Sequence, residues 1–478
     1  MFTFIGCLAL LILSYFTYGK YVEKLFGIDA TQKMPSETLF DGVDYVPIKK
    51  WKTFLIQLLN IAGLGPIFGA VLGATYGTVA FLWITLGGIF IGGVHDFALG
   101  YISVKNNGLS YPEVTARLLG KRTKYVVNLF TLFLMVLVGA VFMVGPAGLL
   151  TGLTGWGVQA WLMVILAYYF VATMLPIDKV IGKVYPLFGA ALFLMAIGLL
   201  AALFIGGFHL PELSIANMKS DSTTYPIFPT LFITIACGAI SGFHATQSPL
   251  TARCLTNQKE CKPVFFGAMI SESIIALIWA AIAIAFFGGV SELNAALAEH
   301  GNDAAWAVDK IVNSTLGKIG GILALLGVVA APISTGDTAF RSARLIVADF
   351  LKISQKNIPK RLLISVPLFV VGYVITLLDF AVLWRYFAWM NQSLAVIALW
   401  AATLYLAQIR KNYLITMLPA TFMTFIVFHY MFTSPQLICL PITAGTLLAG
   451  VTTIALVFYF CFIIKQGKQK HRLLQSTL

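Results

Sequence analysis

Runs of roughly 20 mostly apolar residues recur along nearly the whole chain, and this repeated hydrophobicity constrains the fold more than any single motif. A run of that length is what an α-helix needs to cross the ~30 Å hydrocarbon core of a bilayer. Thirteen such runs lie at 2–19, 53–74, 78–103, 125–147, 157–175, 185–207, 228–250, 264–288, 318–340, 361–378, 383–406, 413–431 and 441–464. No low-complexity or Gly/Ser-rich linker separates them, so residues 1–478 read as a single all-α, polytopic membrane domain in contact with lipid. The composition agrees: 59% of residues are hydrophobic and 11% charged, whereas soluble proteins run at roughly 45–50% and about 25%. The apolar run at the N-terminus lacks a preceding basic region and an A-x-A-like cleavage site, so it reads as a retained helix.

The net charge of +13 would suggest nucleic acid in a soluble protein. Here it reports orientation instead. With the N-terminus outside, the loops at 20–52, 104–124, 176–184, 251–263, 341–360 and 407–412 and the C-terminal tail become cytoplasmic. All but four of the 32 Lys and Arg residues, the exceptions being Lys219, Lys310, Lys318 and Arg385, fall in them or the adjoining helix ends. Such asymmetry is the positive-inside pattern. The six cysteines are scattered and form no C-x-x-C pair, which disfavours a zinc or disulfide framework. On the opposite face, the segment Ser291 to Ser314 carries an apolar rhythm at Leu293, Leu297, Trp306 and Val308. It reads as short surface helices, either a structured loop or a lid over an outer vestibule.

Two spans contain residues that do not suit a helix interior. "GLGPIFGA" places Gly63, Gly65 and Pro66 in the 53–74 run, and "CGAISGFHATQSP" places Gly238, Ser241, Gly242, His244, Gln247 and Pro249 in the 228–250 run. Irregular backbone at membrane depth survives only where protein or a water-filled cavity surrounds it. Unwound helices expose N–H groups that suit an anion and carbonyls that suit a cation. Paired broken helices in matching positions of two repeats are a device of secondary transporters. The first broken run starts in the cytoplasm and is followed by four more; the second starts outside and is also followed by four more. The count therefore yields a five-plus-five inverted repeat over 51–227 and 228–406. One extra helix precedes it within 1–50, and two helices follow within 407–478 with the tail.

Only three acids lie inside runs: Asp96, Glu272 and Asp337. An ionised, unpaired carboxylate at mid-membrane costs at least about 2.5–3.5 kcal/mol, so each needs a partner, a cavity or a proton. Asp96 follows His95, an adjacent imidazole and carboxylate able to exchange protons. Glu272 has no obvious sequence partner and is the candidate proton-carrying carboxyl. Asp337 precedes Arg341 by four residues, the spacing of a helical ion pair. Ser334 and Thr335, just before it, either bond back to their own helix or help hold Na⁺.

"GLGPIFGA", "GGIFIGGVHDF", "GAISGFHATQSP" and "PISTGDTAFRSAR", in that order over about 51–349, resemble the carbon starvation protein A family of bacterial inner-membrane transporters. The resemblance implies uptake of peptides or pyruvate, with no cofactor beyond a coupling H⁺ or Na⁺. It also implies the five-plus-five, LeuT-like core of the amino acid–polyamine–organocation superfamily. By position, Gly63 to Pro66 is the break in the first core helix, Gly238 to His244 that in the sixth, and Ser334 and Thr335 the location of a cation in sodium-coupled relatives. Better-known members are much longer, so this chain reads as a compact version. The expectation is a carboxylate bound near Gly63, Gly65, Pro66, Gly238, Ser241, Gly242, His244 and Gln247, with His95, Asp96, Glu272, Ser334, Thr335 and Asp337 available for ion coupling. A passive channel and an intramembrane enzyme are the alternatives. Two dissimilar breaks argue against a repeated channel filter. The chain has no H-E-x-x-H, G-x-S-x-G or P-loop motif to support an enzyme or an ATP-driven pump.

Overall fold

A computed structural model describes residues 1–42, 44–173, 177–353 and 357–476. Among them every regular element is helical. Ten helices are long and apolar enough to cross a bilayer, or eleven if Lys50–Ile61 and Gly65–Ala74, bent by 57° at a short break, count as one span. Two of the thirteen expected runs account for the difference. The 157–175 run folds as the 15-residue helix Val158–Ala172, and the 228–250 run is split into short pieces at Ile227–Thr234 and Gly242–Ala252. Of the expected 176–184 loop, residue 176 lies outside the described residues, and 177 onward is already helical.

Burial orders the helices. In Val79–Lys105, Gln258–Phe287 and Phe380–Gln408, 78% of the most apolar window is buried, whereas in Ile358–Ile375 and Ile442–Gln466 the share is 22%. The first three are therefore the centre and the last two the rim. The rim leaves Leu363, Val370, Val374, Leu447, Phe458 and Phe462 exposed. In water that would be a large apolar patch; against lipid tails it is the required surface. The chain is a multi-pass membrane protein.

The segment expected at 291–314 forms the helix Val290–Glu299 and the start of Ala304–Ala324. The first buries Val290, Leu293 and Leu297, one face at helical spacing. Its Asn294 Nδ2 ties it down by donating to the carbonyls of Thr75 and Met218 at 2.9 and 3.2 Å. On the opposite side, Arg341 and Arg344 donate to the carbonyls of Ala172 and Thr173 at 3.1 and 3.2 Å. They satisfy the C-terminal end of Val158–Ala172, where cations are favoured.

The candidate transport site

Both glycine clusters break their helices, and the breaks touch. The first is unwound over 62–64 and the second over 235–241. A Cβ placed on Gly65 would overlap the Cβ and Sγ of Cys237. Gly238 holds φ at +66°, where glycine carries no penalty, and a Cβ there would stand 2.7 Å from that of Ala276 and 3.9 Å from Pro66 Cα. Pro66 lies in the first turn of Gly65–Gly69, where a missing N–H costs no hydrogen bond. Gly63 is packed under the ring of Phe142, 2.6 Å from an added Cβ. Pro249, named with the residues unsuited to a helix interior, sits inside the helix Gly242–Ala252, and of the break expected at Gly238 to His244 only 238–241 is unwound.

Unwound backbone at this depth must be satisfied group by group. In the second break the carbonyls are met by neighbours. Trp83 Nε1 donates to Ile235 O at 3.3 Å, Gln392 Nε2 approaches Ala236 O at 3.5 Å, and Ser273 Oγ donates to Gly238 O at 2.7 Å. The N–H groups of Ala236, Cys237 and Gly238 have no hydrogen-bond acceptor among the described residues. In the first break the carbonyls of Ala62 and Gly63 accept no hydrogen bond among the described residues. Both breaks thus leave backbone groups free for a solute.

Asn391, on Phe380–Gln408, stitches the second break. Its Oδ1 accepts from the Phe243 N–H at 2.7 Å and from Ser241 Oγ at 3.1 Å, while its Nδ2 lies 3.6 Å from Cys237 Sγ. It caps the N-terminus of Gly242–Ala252. Gly242 has no room for a side chain against Asn391 and Ala395. Gln247 Nε2 donates to Thr246 Oγ1 at 2.9 Å and leaves its Oε1 without a partner, as does Gln57, whose Nε2 donates to Ser248 Oγ at 3.2 Å.

Beside the break lies a buried chain of titratable groups. Asp96 Oδ1 is 2.7 Å from His95 Nδ1, and its Oδ2 is 2.9 Å from His244 Nδ1. His244 Nε2 is 3.4 Å from Glu272 Oε2. All four side chains are fully buried. If both imidazoles donate to an ionised Asp96, the Nε2 of neutral His244 is a lone pair facing Glu272. A proton on Glu272 then has one place to go. Moving it to His244 leaves the summed charge of the three groups unchanged, so the low-dielectric interior sees a dipole change rather than a new net charge. Neither His244 Nε2 nor either Glu272 oxygen has a hydrogen-bond partner. Cys237 Sγ closes the open side: one ligand atom each from Cys237, His244 and Glu272 lie within 4.8 Å of one another. Groups at that spacing can share a proton, a water molecule or a single metal cation.

The remaining expected residues form a separate group. Ser334 Oγ and Thr335 Oγ1 donate to Ala331 O at 2.7 and 3.1 Å. Asp337 Oδ2 accepts from Arg341 Nη2 at 3.3 Å. Phe142 stands between this turn and the first break, with its ring on Gly63 and its Cβ 3.3 Å from where Gly336 would carry one. Asn391, Cys237, Gln57 and Ser273 are the site residues that sequence reasoning missed. An Asn–Gln pair in the middle of an otherwise apolar run was the visible signal for the first.

A profile of the family described as carbon starvation protein CstA matches residues 1–159 and 146–321. The chain belongs to this family. A membrane protein of Haemophilus influenzae is 40% identical over 349 residues, covering 62% of this chain and 94% of that one. The peptide transporter CstA of Bacillus subtilis is 27% identical over 336 residues, covering 57% of this chain and 56% of its own. The pyruvate/proton symporter BtsT of Escherichia coli is 29% identical over 343 residues, covering 57% and 47%. The chain thus matches about half the length of these two named family members, which are transporters rather than enzymes. In fold it is similar to the manganese transporter of Eremococcus coleocola, with a TM-score of 0.51 at 14% identity over 93% of this chain and 98% of that one.

Proposed function

We propose that this chain is a proton-coupled secondary transporter that brings a small carboxylate-bearing solute, pyruvate or a short peptide, across the bacterial inner membrane. The buried Asp96–His244–Glu272 chain carries the reading. It sets an unpartnered imidazole nitrogen of the second broken helix 3.4 Å from a buried, unpartnered carboxylate. The spare N–H groups at Ala236 to Gly238 suit the carboxylate, and the spare carbonyls of Ala62 and Gly63 suit an amine where the solute has one. Because His244 lies in the first turn of the helix that follows the unwound segment holding the carboxylate site, protonation and solute binding bias one movable element. Rocking of one helix bundle against the other then alternates access.

The names of two relatives support the solute class, and one of them the proton. The same reading takes 51–227 and 228–406 as inverted halves of a thirteen-helix protein, each opening on a broken helix, with the N-terminus outside and the C-terminus cytoplasmic. Uptake of labelled pyruvate, alanine and dialanine into vesicles tests it. Accumulation of one of them that an uncoupler abolishes and a collapsed sodium gradient leaves intact is the expected result. Accumulation that follows the sodium gradient alone would move the coupling site to Ser334 and Thr335. Flux that never exceeds the outside concentration would make the protein a facilitator.

A further inference from the structure

A cavity of about 1110 Å³ opens at the ends of the helices, between Lys219, Tyr225, Asp379, Trp384, Arg385 and Ser434. Two of the four basic residues that break the positive-inside pattern, Lys219 and Arg385, stand together in its wall. Arg385 Nη1 donates to the Tyr225 hydroxyl at 2.8 Å and its guanidinium lies 5.9 Å from that ring. Lys219 Nζ lies 5.7 Å from the same ring and 5.3 Å from that of Tyr76, and donates to Thr75 Oγ1 at 2.9 Å. Neither cation forms an ion pair among the described residues. The two wall carboxylates are occupied by backbone: Asp221 accepts from the Thr224 N–H at 3.0 Å, and Asp379 from those of Ala381 and Val382 at 2.9 and 3.2 Å. Arg385 Nε is buried without a partner.

Two unpaired like charges in one half-buried wall repel each other and lose solvation. Burial, and then the Arg385 charge, push the Lys219 ammonium down to about 8. Asp221 offsets part of the Lys219 charge, but both wall carboxylates turn an oxygen to backbone N–H groups and neither forms an ion pair with Lys219 or Arg385 among the described residues. The cavity floor leads to the transport site. Trp384 Nε1 donates to Thr234 O at 3.4 Å, at the edge of the second break. The Trp384 ring lies 3.2 Å from the position of a Cβ on Gly69, one turn beyond the first break.

We propose that Lys219 and Arg385 form an anion-capture site that holds a small organic carboxylate in this vestibule before it passes Trp384. The passage beyond Trp384 rests on the transport reading above; the capture does not. A clefted positive potential raises the local concentration and arrival rate of anions by about 10-fold or more.

The test uses thiol labelling of the full chain in vesicles, with Thr223→Cys as reporter on the vestibule wall and the exposed Cys439 replaced by Ser. Anionic and cationic methanethiosulfonates are compared, each normalised to a free thiol in solution. The anionic reagent should react at least about fivefold faster. Lys219→Gln and Arg385→Gln should each cut that bias and together abolish it, whereas Lys219→Arg keeps it and shows the fold is intact. Millimolar pyruvate should slow labelling and neutral pyruvamide should not. No bias in the parent, or a bias untouched by the double Gln variant, overturns the proposal. Bias without uptake of any carboxylate would remove the transport reading and leave the capture site; uptake without bias would do the reverse.

Discussion

Adding one carbon to Gly65 tests the contact between the two breaks. The Cβ of Gly65→Ala would overlap the Cβ and Sγ of Cys237; the sulfur can turn about χ1, but the Cβ is fixed to the unwound backbone and has no rotamer to escape into. The breaks must move apart, an overpacking cost of about 1–3 kcal/mol. Removing the obstruction should return most of it. With Cys237→Gly the nearest remaining atom is Cα at 3.5 Å, an ordinary contact. Alone, Cys237→Gly should cost about 1 kcal/mol, through the added chain entropy of a second glycine and the lost Asn391 contact. The double variant should therefore be about as stable as Cys237→Gly alone, leaving a coupling of about 1–3 kcal/mol. Thermal unfolding of the purified protein in one detergent measures the four corners, and uptake should follow the same pattern, lost in Gly65→Ala and partly regained in the pair. Additive effects within about 0.5 kcal/mol would refute the contact.

Two further outcomes follow from the geometry. Asn391→Ala removes the cap from the Phe243 N–H and the partner of Ser241; unfolding should show a loss of about 1–2 kcal/mol, with faster hydrogen exchange confined to the first turn of Gly242–Ala252. Lys219 is charged below about 8 and neutral above it. At a fixed pH difference across the membrane, the KM for a carboxylate should therefore rise severalfold as outside pH climbs through that value. Arg385, Asp221, Asp379, Tyr76, Tyr225 and His429 also face the cavity, so the comparison is with Lys219→Arg, whose KM should stay flat; a wild-type KM that does not move would detach Lys219 from binding.

The membrane class, the number of apolar runs and both breaks were legible because each is a local property. Hydropathy is read over one span, and Gly65, Pro66 and Gly238 announce a broken helix without reference to any partner. The extent of the second break is not such a property. The chain leaves helical geometry at Ile235 and resumes it at Gly242, because Asn391 caps the new helix there, and Pro249 falls inside it. That cap lies 148 residues away from the N–H it accepts, beyond any local pattern. The titratable chain was visible only in pieces. His95 beside Asp96 could be read as a pair, but Glu272 showed no sequence partner and His244 was grouped with the solute. Their juxtaposition depends on Gly242–Ala252 packing against Gly93–Lys105, with His244 reaching across to Glu272, and close contacts such as Gly92 with the Ala239 carbonyl permit it. The thirteen-run count differs from the long helices because hydropathy registers apolar length and ignores where the backbone unwinds.

The central claim is that a proton moves between Glu272 and His244 as solute is carried. Reconstituted into liposomes, the protein and its Glu272→Gln variant can be compared in two modes: net accumulation under an inward proton gradient, and exchange of labelled for unlabelled solute with no gradient. Glutamine keeps the size and gives up the titratable proton, so the variant should lose accumulation by at least about tenfold while exchange continues. Accumulation by Glu272→Gln at the wild-type level would contradict the account.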